Sequence, residues 1–177
     1  GAALAERRSL AEALAQLAAE IRACRICIDC PLGKPLPHEP RPVFIASNTA
    51  RILIAGQAPG TRVHVSGRPF TDPSGDRLRS WLGVTSDQFY DSGQFAIAPM
   101  GFCFPGLDAN GSDLPPRKEC APVWRERLLA LMPQIELVIA IGGYAHRWHL
   151  DTASVQTVQR TVEEWRCTVH YFAGYAP

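Results

Sequence analysis

The residues with the clearest chemical content fall in two short stretches, Gly56-Gln57-Ala58-Pro59-Gly60 and Gly67-Arg68-Pro69-Phe70-Thr71-Asp72-Pro73-Ser74-Gly75-Asp76. Two glycines and a proline at the end of an apolar run make a tight turn. Within it Gln57 carries an amide that can donate and accept hydrogen bonds but cannot take a proton. Phe70 adds a flat apolar face, and Asp72 and Asp76 add carboxylates. An amide, an aromatic ring and an acid close to one turn suit a pocket that stacks a nucleobase and bonds its edge. Asp72 also reads as a helix cap, because Asp and Ser in loops commonly bond the first free N–H groups of a helix. Asp76 reads as a charge serving the N-terminus of its own helix.

The second set of reactive side chains is the cysteines. Cys27-x-x-Cys30 lies in a turn-rich segment ahead of Pro31-Leu32, Cys103 follows a strand candidate, and Cys120 lies in a helix candidate. Four thiolates suit an iron–sulfur cluster or a tetrahedral zinc ion, and buried structural thiols fit the same spacing. Cys24-x-x-Cys27 has the spacing of Cys27-x-x-Cys30, so Cys24 can stand in for Cys27 or Cys30. Cys167, beside the last strand candidate, reads as core. Six cysteines without a secretory signal point to a reducing, cytoplasmic setting.

These residues need a frame. Residues 3–24 have Leu10, Leu14, Leu17 and Ile21 at helical spacing and form an amphipathic helix. Residues 24–42 are too broken by proline to be regular. Apolar runs predict strands over 51–55, 95–100, 136–141 and 168–172. Helices are expected from Ser74 to Leu82, with Leu78, Trp81 and Leu82 on one face, and over 117–131, 143–150 and 154–165. Strands alternating with helices imply a three-layer α/β/α sandwich around a four-stranded parallel sheet. Such sheets place ligands at the carboxyl ends of their strands, where the Gly56–Gly60 turn falls.

Composition narrows the partners only slightly. With 46% apolar and 20% charged residues, the chain is an ordinary globular domain without a run long enough to span a membrane. The net charge of +1 carries no global nucleic-acid signal, although Arg62, Arg68, Arg77 and Arg79 cluster around the opening motif.

Taken together, these features resemble the uracil-DNA glycosylase superfamily, most closely its iron–sulfur branch, family 4. The resemblance rests on a C-x-x-C-x-Leu signature at Cys27, Cys30 and Leu32, the Gly-x-Ala-Pro-Gly turn at Gly56–Gly60, and the Gly-x-Pro-Phe element at Gly67–Phe70. It is completed by Cys103 and by Cys120 within Pro115-Pro116-Arg117-Lys118-Glu119-Cys120. It implies a DNA partner, excision of uracil or a related deaminated base, and a structural [4Fe–4S] cluster on Cys27, Cys30, Cys103 and Cys120, with zinc as the alternative. It further implies that Phe70 stacks on the base within a site that includes Gly56, Gln57 and Pro99.

Three departures qualify the mechanism. Gln57 stands where family 4 usually has glutamate, and Pro99 stands where an asparagine usually reads the base edge. The chain reaches Pro177 about where a His-Pro-Ser type motif should begin. None of His38, His64, His146, His149 and His170 sits in that context; His64 reads as a loop surface residue near the pocket motif. Phe70 to Asp76 resembles a family 5 element in which an aspartate holds the attacking water. Asp72 is therefore expected to orient the water and stabilise the sugar cation, assisted by Gln57. The expectation is a single monomeric glycosylase-like domain over residues 1–177 that lacks its C-terminal segment. The competing readings are a noncatalytic nucleic-acid-binding or regulatory iron–sulfur protein on the same scaffold, and a flavodoxin-like nucleotide or redox protein. The turn lacks the G-x-G-x-x-G phosphate pattern, which counts against a dinucleotide cofactor.

Overall fold

The computed structural model describes residues 1–150 and 157–163. Its centre is strand β1, Ile52–Ala55, flanked by β2, Phe95–Ile97, and β3, Leu137–Ala140. All pairings are parallel and the order is β2-β1-β3. Ile54 pairs with Ile97 on one side and Ile139 on the other, so the three carboxyl ends share one edge of the sheet. The described residues thus contain three strands, not the four expected; the fourth candidate, 168–172, lies outside the described residues.

β1 is continuously apolar because both its faces are covered. Leu53 points to one side, with Ala96 and Ala98, into a cluster with Leu14, Leu17 and Ile21 of helix α1 (Ala2–Arg22). Trp124 and Leu128 of the helix spanning Cys120–Ala130 close that layer. Ile54 points to the other side, with Phe95 and Ile97, against Leu78 and Phe89. Leu78 belongs to the helix Pro73–Leu82 and Phe89 to the short helix Ser86–Phe89. Helices therefore lie on both faces of a parallel sheet, as the alternating pattern implied.

The remaining helices place α2 at Ile26–Asp29 and α3 at Thr61–Ser66, so that Pro73–Leu82 is α4, Ser86–Phe89 is α5 and Cys120–Ala130 is α6. Gly143–His149 is α7 and Val158–Glu163 is α8. α2 lies within the segment expected to be irregular. The predicted strand 95–100 ends early because Pro99 has no N–H to continue the ladder. Trp81 does not share the inner face of α4 with Leu78 and Leu82; it is 77% exposed. No helix among the described residues is long and apolar enough to cross a membrane.

Candidate active site and thiol cavity

Because the strands are parallel, the segments leaving them meet at one edge. The turn after β1 is fixed there by backbone bonds from Met100 N–H to the Gly56 carbonyl and from Gly101 N–H to the Gln57 carbonyl, each 2.9 Å. Together with Pro99, Ile141 and the loop before α4, it encloses a pocket of about 320 Å³. That is within the usual range of small-molecule sites, about 300–1,000 Å³. Gly56, Gln57, Phe70, Asp72 and Pro99, all expected in the site, line this pocket. Val43 and Ile97 supply apolar wall, and Asp113 adds a carboxylate that the sequence pattern did not single out.

Phe70 is placed with unusual care. Its φ of 56° lies in the left-handed region, which costs a residue with a side chain about 1–3 kcal/mol. The network around it holds that conformation. Tyr90 Oη donates to the carbonyls of Pro69 (2.6 Å) and Phe70 (3.1 Å), and Arg79 Nη1 donates to the Phe70 carbonyl at 3.1 Å. The Arg68 guanidinium lies 3.5 Å from the centre of the Tyr90 ring. Two members of the basic cluster thus brace the loop, while Arg62 and Arg77 are exposed. The Phe70 ring meets Phe89 edge-on at 5.8 Å, and its tip lies over Gly56. Half-buried, it has one part in the core and one part in the pocket.

Gln57 is exposed, and its amide has no hydrogen-bond partner among the described residues. A Cβ on Gly142 would fall 2.8 Å from its Cγ and Cδ, and Gly142 has φ of 89°, so only glycine fits beside it. Asp72 caps α4: its Oδ1 accepts from Gly75 N–H (3.2 Å) and from Ser74 Oγ (2.5 Å). Capping and lining the pocket are both properties of this one carboxylate, because the capping bonds engage a single oxygen. His64 does not line the pocket. It lies on α3, its ring 4.5 Å from that of His38 and 5.7 Å from that of Phe104. Burial, then His38 and Arg41, lower its pKa.

Behind the pocket floor lies Arg125, 1% exposed. It donates to the carbonyls of Ala98 (3.0 Å) and Pro99 (3.1 Å) and pairs with His149 Nε2 at 2.6 Å. Burial pulls its pKa down to about 10, and no carboxylate pairs with it among the described residues. Burial, reinforced by the Arg125 charge, pushes His149 down to about 3. A lone arginine in a helix reads as surface, so sequence patterning offered no signal for this clamp.

On the other side of β2, Cys24, Cys27, Cys103 and Cys120 line one small cavity with Ile21, Phe102 and Trp124. Cys30 is exposed and lies outside it, so the structure gathers Cys24 where the resemblance implied Cys30. Two of the four sulfurs accept an N–H. Trp124 Nε1 reaches Cys24 at 3.3 Å and Phe102 N–H reaches Cys120 at 3.4 Å. Burial raises the Cys27 thiol, and burial plus the neighbouring thiols push Cys103 and Cys120 up to about 12. No group of three or more His, Cys, Asp or Glu among the described residues is spaced to hold a metal ion as it stands. The donor set nevertheless suits a thiolate-bound group, since four soft sulfurs, two of them accepting an N–H, line one small cavity.

A parallel α/β sheet thus carries at its carboxyl edge a pocket lined by an aromatic ring, an amide and two carboxylates. The chain matches the family model of the uracil DNA glycosylase superfamily over residues 42–177. It belongs to that superfamily, whose domains act on DNA in a glycosylase-like manner. The matched region contains the whole pocket lining, together with Cys103 and Cys120.

Proposed function

We propose that this domain is a uracil-DNA glycosylase of the iron–sulfur, family 4 type, removing uracil or a related deaminated base in base excision repair. The observation that carries the reading is the pocket at the sheet edge, where Phe70, held in a strained conformation, faces the glycine turn within reach of a fixed carboxylate. A base turned out of the stack enters this pocket and packs on Phe70. The Gln57 amide, without a hydrogen-bond partner among the described residues, bonds its edge in place of the missing asparagine, because Met100 and Gly101 N–H are taken by the turn and the Ala98 and Pro99 carbonyls by Arg125.

The C1′–N bond then breaks, the electron pair leaving with the base and positive charge spreading over the sugar. Asp72 holds a water with the oxygen not used for capping and takes its proton as the water oxygen bonds C1′. The departing base regains a proton from solvent. Gln57 cannot be that base, so proton transfer falls to the carboxylate.

Cys24, Cys27, Cys103 and Cys120 would hold a [4Fe–4S] cluster, which would tie the end of α1 and α2 to the β2–α6 connection. Its role is structural. This ligand set replaces the one containing Cys30, because Cys24 shares the cavity and receives an N–H while Cys30 does neither.

The test is an excision assay on single- and double-stranded oligonucleotides containing uracil, hypoxanthine or xanthine, with iron and zinc measured on the same preparation. Alkali-labile abasic product from one of these bases is expected. Tight binding without product from any of them would favour a noncatalytic nucleic-acid-binding protein. Cys24→Ser should lose the metal and Cys30→Ser should retain it; the reverse would restore Cys30 to the ligand set.

A further inference from the structure

Asp113 is the one carboxylate at the pocket that chain neighbours did not point to. It is carried by a small, stiff hairpin. Leu107 and Asp113 form an antiparallel bridge, Leu114 N–H donates to the Gly106 carbonyl at 2.9 Å, and Asp108 N–H donates to the Ser112 carbonyl at 2.8 Å. The Asp108 carboxylate fastens the tip by accepting from Asn110 N–H (2.8 Å) and Ser112 N–H (3.0 Å). Pro115 and Pro116 then fix the exit of the hairpin. Such a loop sets its last side chains in place.

What it sets is an unpartnered charge. Asp72 has two donors on one oxygen, whereas the Asp113 carboxylate has no hydrogen bond or ion pair among the described residues. It lies against the catalytic turn: a Cβ on Gly60 would fall 3.1 Å from Asp113 Oδ2, so the glycine leaves room for the carboxylate. Asp113 is also shared between the base pocket and an adjoining groove of about 260 Å³ lined by Pro59, Leu114, Pro115 and Tyr144. Asp113 is exposed, which places it at the mouth. The base occupies the interior beside Phe70, so the mouth is where the sugar stays.

A bare carboxylate on a surface that must meet phosphates weakens ground-state binding. It is rewarded only if positive charge develops in front of it. Glycosidic cleavage develops that charge on the sugar. We propose that Asp113 is a second catalytic carboxylate, which stabilises the sugar cation from the pocket mouth while Asp72 holds the water. This rests on the glycosylase reading. Asp113 takes no proton and forms no bond; it stays ionised while the C1′–N pair leaves with the base and the water oxygen closes on C1′.

The experiment compares the wild type, Asp113→Asn, Asp113→Glu and Asp72→Asn in single-turnover excision and in binding to two uncleavable oligonucleotides. One carries a neutral tetrahydrofuran abasic analogue and the other a cationic pyrrolidine at the same position. The wild type should bind the cationic analogue more tightly. Asp113→Asn should abolish that preference, bind the neutral analogue at least as well as the wild type, and excise roughly 100-fold more slowly, the scale of removing one preorganised electrostatic group. Asp113→Glu should recover part of the preference, and Asp72→Asn should lose rate while keeping it. A wild type without cation preference, or an Asp113→Asn protein that keeps it or keeps the wild-type rate, overturns the proposal. Absence of excision by the wild type would refute the glycosylase reading instead, and the two affinities would still decide whether the Asp113 charge faces the sugar position.

Discussion

Gly75 tests how tightly the stacking aromatic depends on the helix behind it. A Cβ built on Gly75 would lie 1.9 Å from the Phe70 carbonyl oxygen, 2.7 Å from its carbonyl carbon and 2.9 Å from its Cβ. Ordinary contact begins at 3.4 Å, so Gly75→Ala requires the two backbones to part by about 1.5 Å. The Phe70 carbonyl cannot yield freely, because Tyr90 Oη and Arg79 Nη1 both hold it. Forcing a methyl into such a contact costs about 1–3 kcal/mol. Alanine returns up to about 1 kcal/mol in helix propensity. The net loss of stability should therefore be up to about 3 kcal/mol, toward the upper end because the obstructing atoms are backbone, read from urea unfolding. The folded fraction should also be slow, because a misplacement of about 1 Å at the site can cost roughly 100-fold in rate. Gly75→Ala should thus fold, yet release uracil roughly 100-fold more slowly in single-turnover assays. A folded Gly75→Ala protein with the wild-type rate would refute the claim that Phe70 placement limits the reaction.

Other perturbations separate packing from chemistry. Phe70→Ala should reduce single-turnover excision about 10- to 100-fold, since stacking of a base on an aromatic is worth about 1–3 kcal/mol; Phe70→Tyr should remain close to wild type in the same assay. Arg125→Met should destabilise the fold by roughly 2–4 kcal/mol in urea unfolding, because the buried carbonyls of Ala98 and Pro99 lose their donor. His149 should make the fold acid-sensitive. Its folded pKa of about 3 lies below the ordinary 6.5, so the unfolded chain takes up the proton first. The stability it contributes is full above pH 6.5 and is lost as pH falls toward 3, by at most about 1.4 kcal/mol per pH unit. His149→Gln should flatten the urea midpoint against pH across that window.

What could be read from the chain follows from where chain neighbours are also spatial neighbours. β1 was legible because a strand buried on both faces must be apolar throughout, and Leu53 and Ile54 serve opposite faces. The Gly56–Gly60 turn and the Phe70–Asp72 loop were legible because each carries its chemistry within a few residues. The short helices α3 and α5 escaped because so few residues show no apolar period; α5 is set by a capping box between Thr85 and Gln88. The cysteines show the limit most clearly. Cys24, Cys27 and Cys30 form two overlapping pairs of identical spacing, so spacing cannot choose between them. Which of them share a cavity with Cys103 and Cys120 depends on the fold, in which the Trp124 indole, far along the chain, reaches Cys24. Asp113 and Arg125 are legible only in three dimensions for the same reason. One is carried to the pocket mouth by a hairpin, and the other is buried under the pocket floor by α6. The turn, Phe70 and Asp72 of this pocket are thus local in sequence, whereas Asp113 and Arg125 are brought to it by the fold. On the proposed role of Asp113, a sequence can keep the turn, Phe70 and Asp72 and still lose function through a change in the Gly106–Leu114 hairpin.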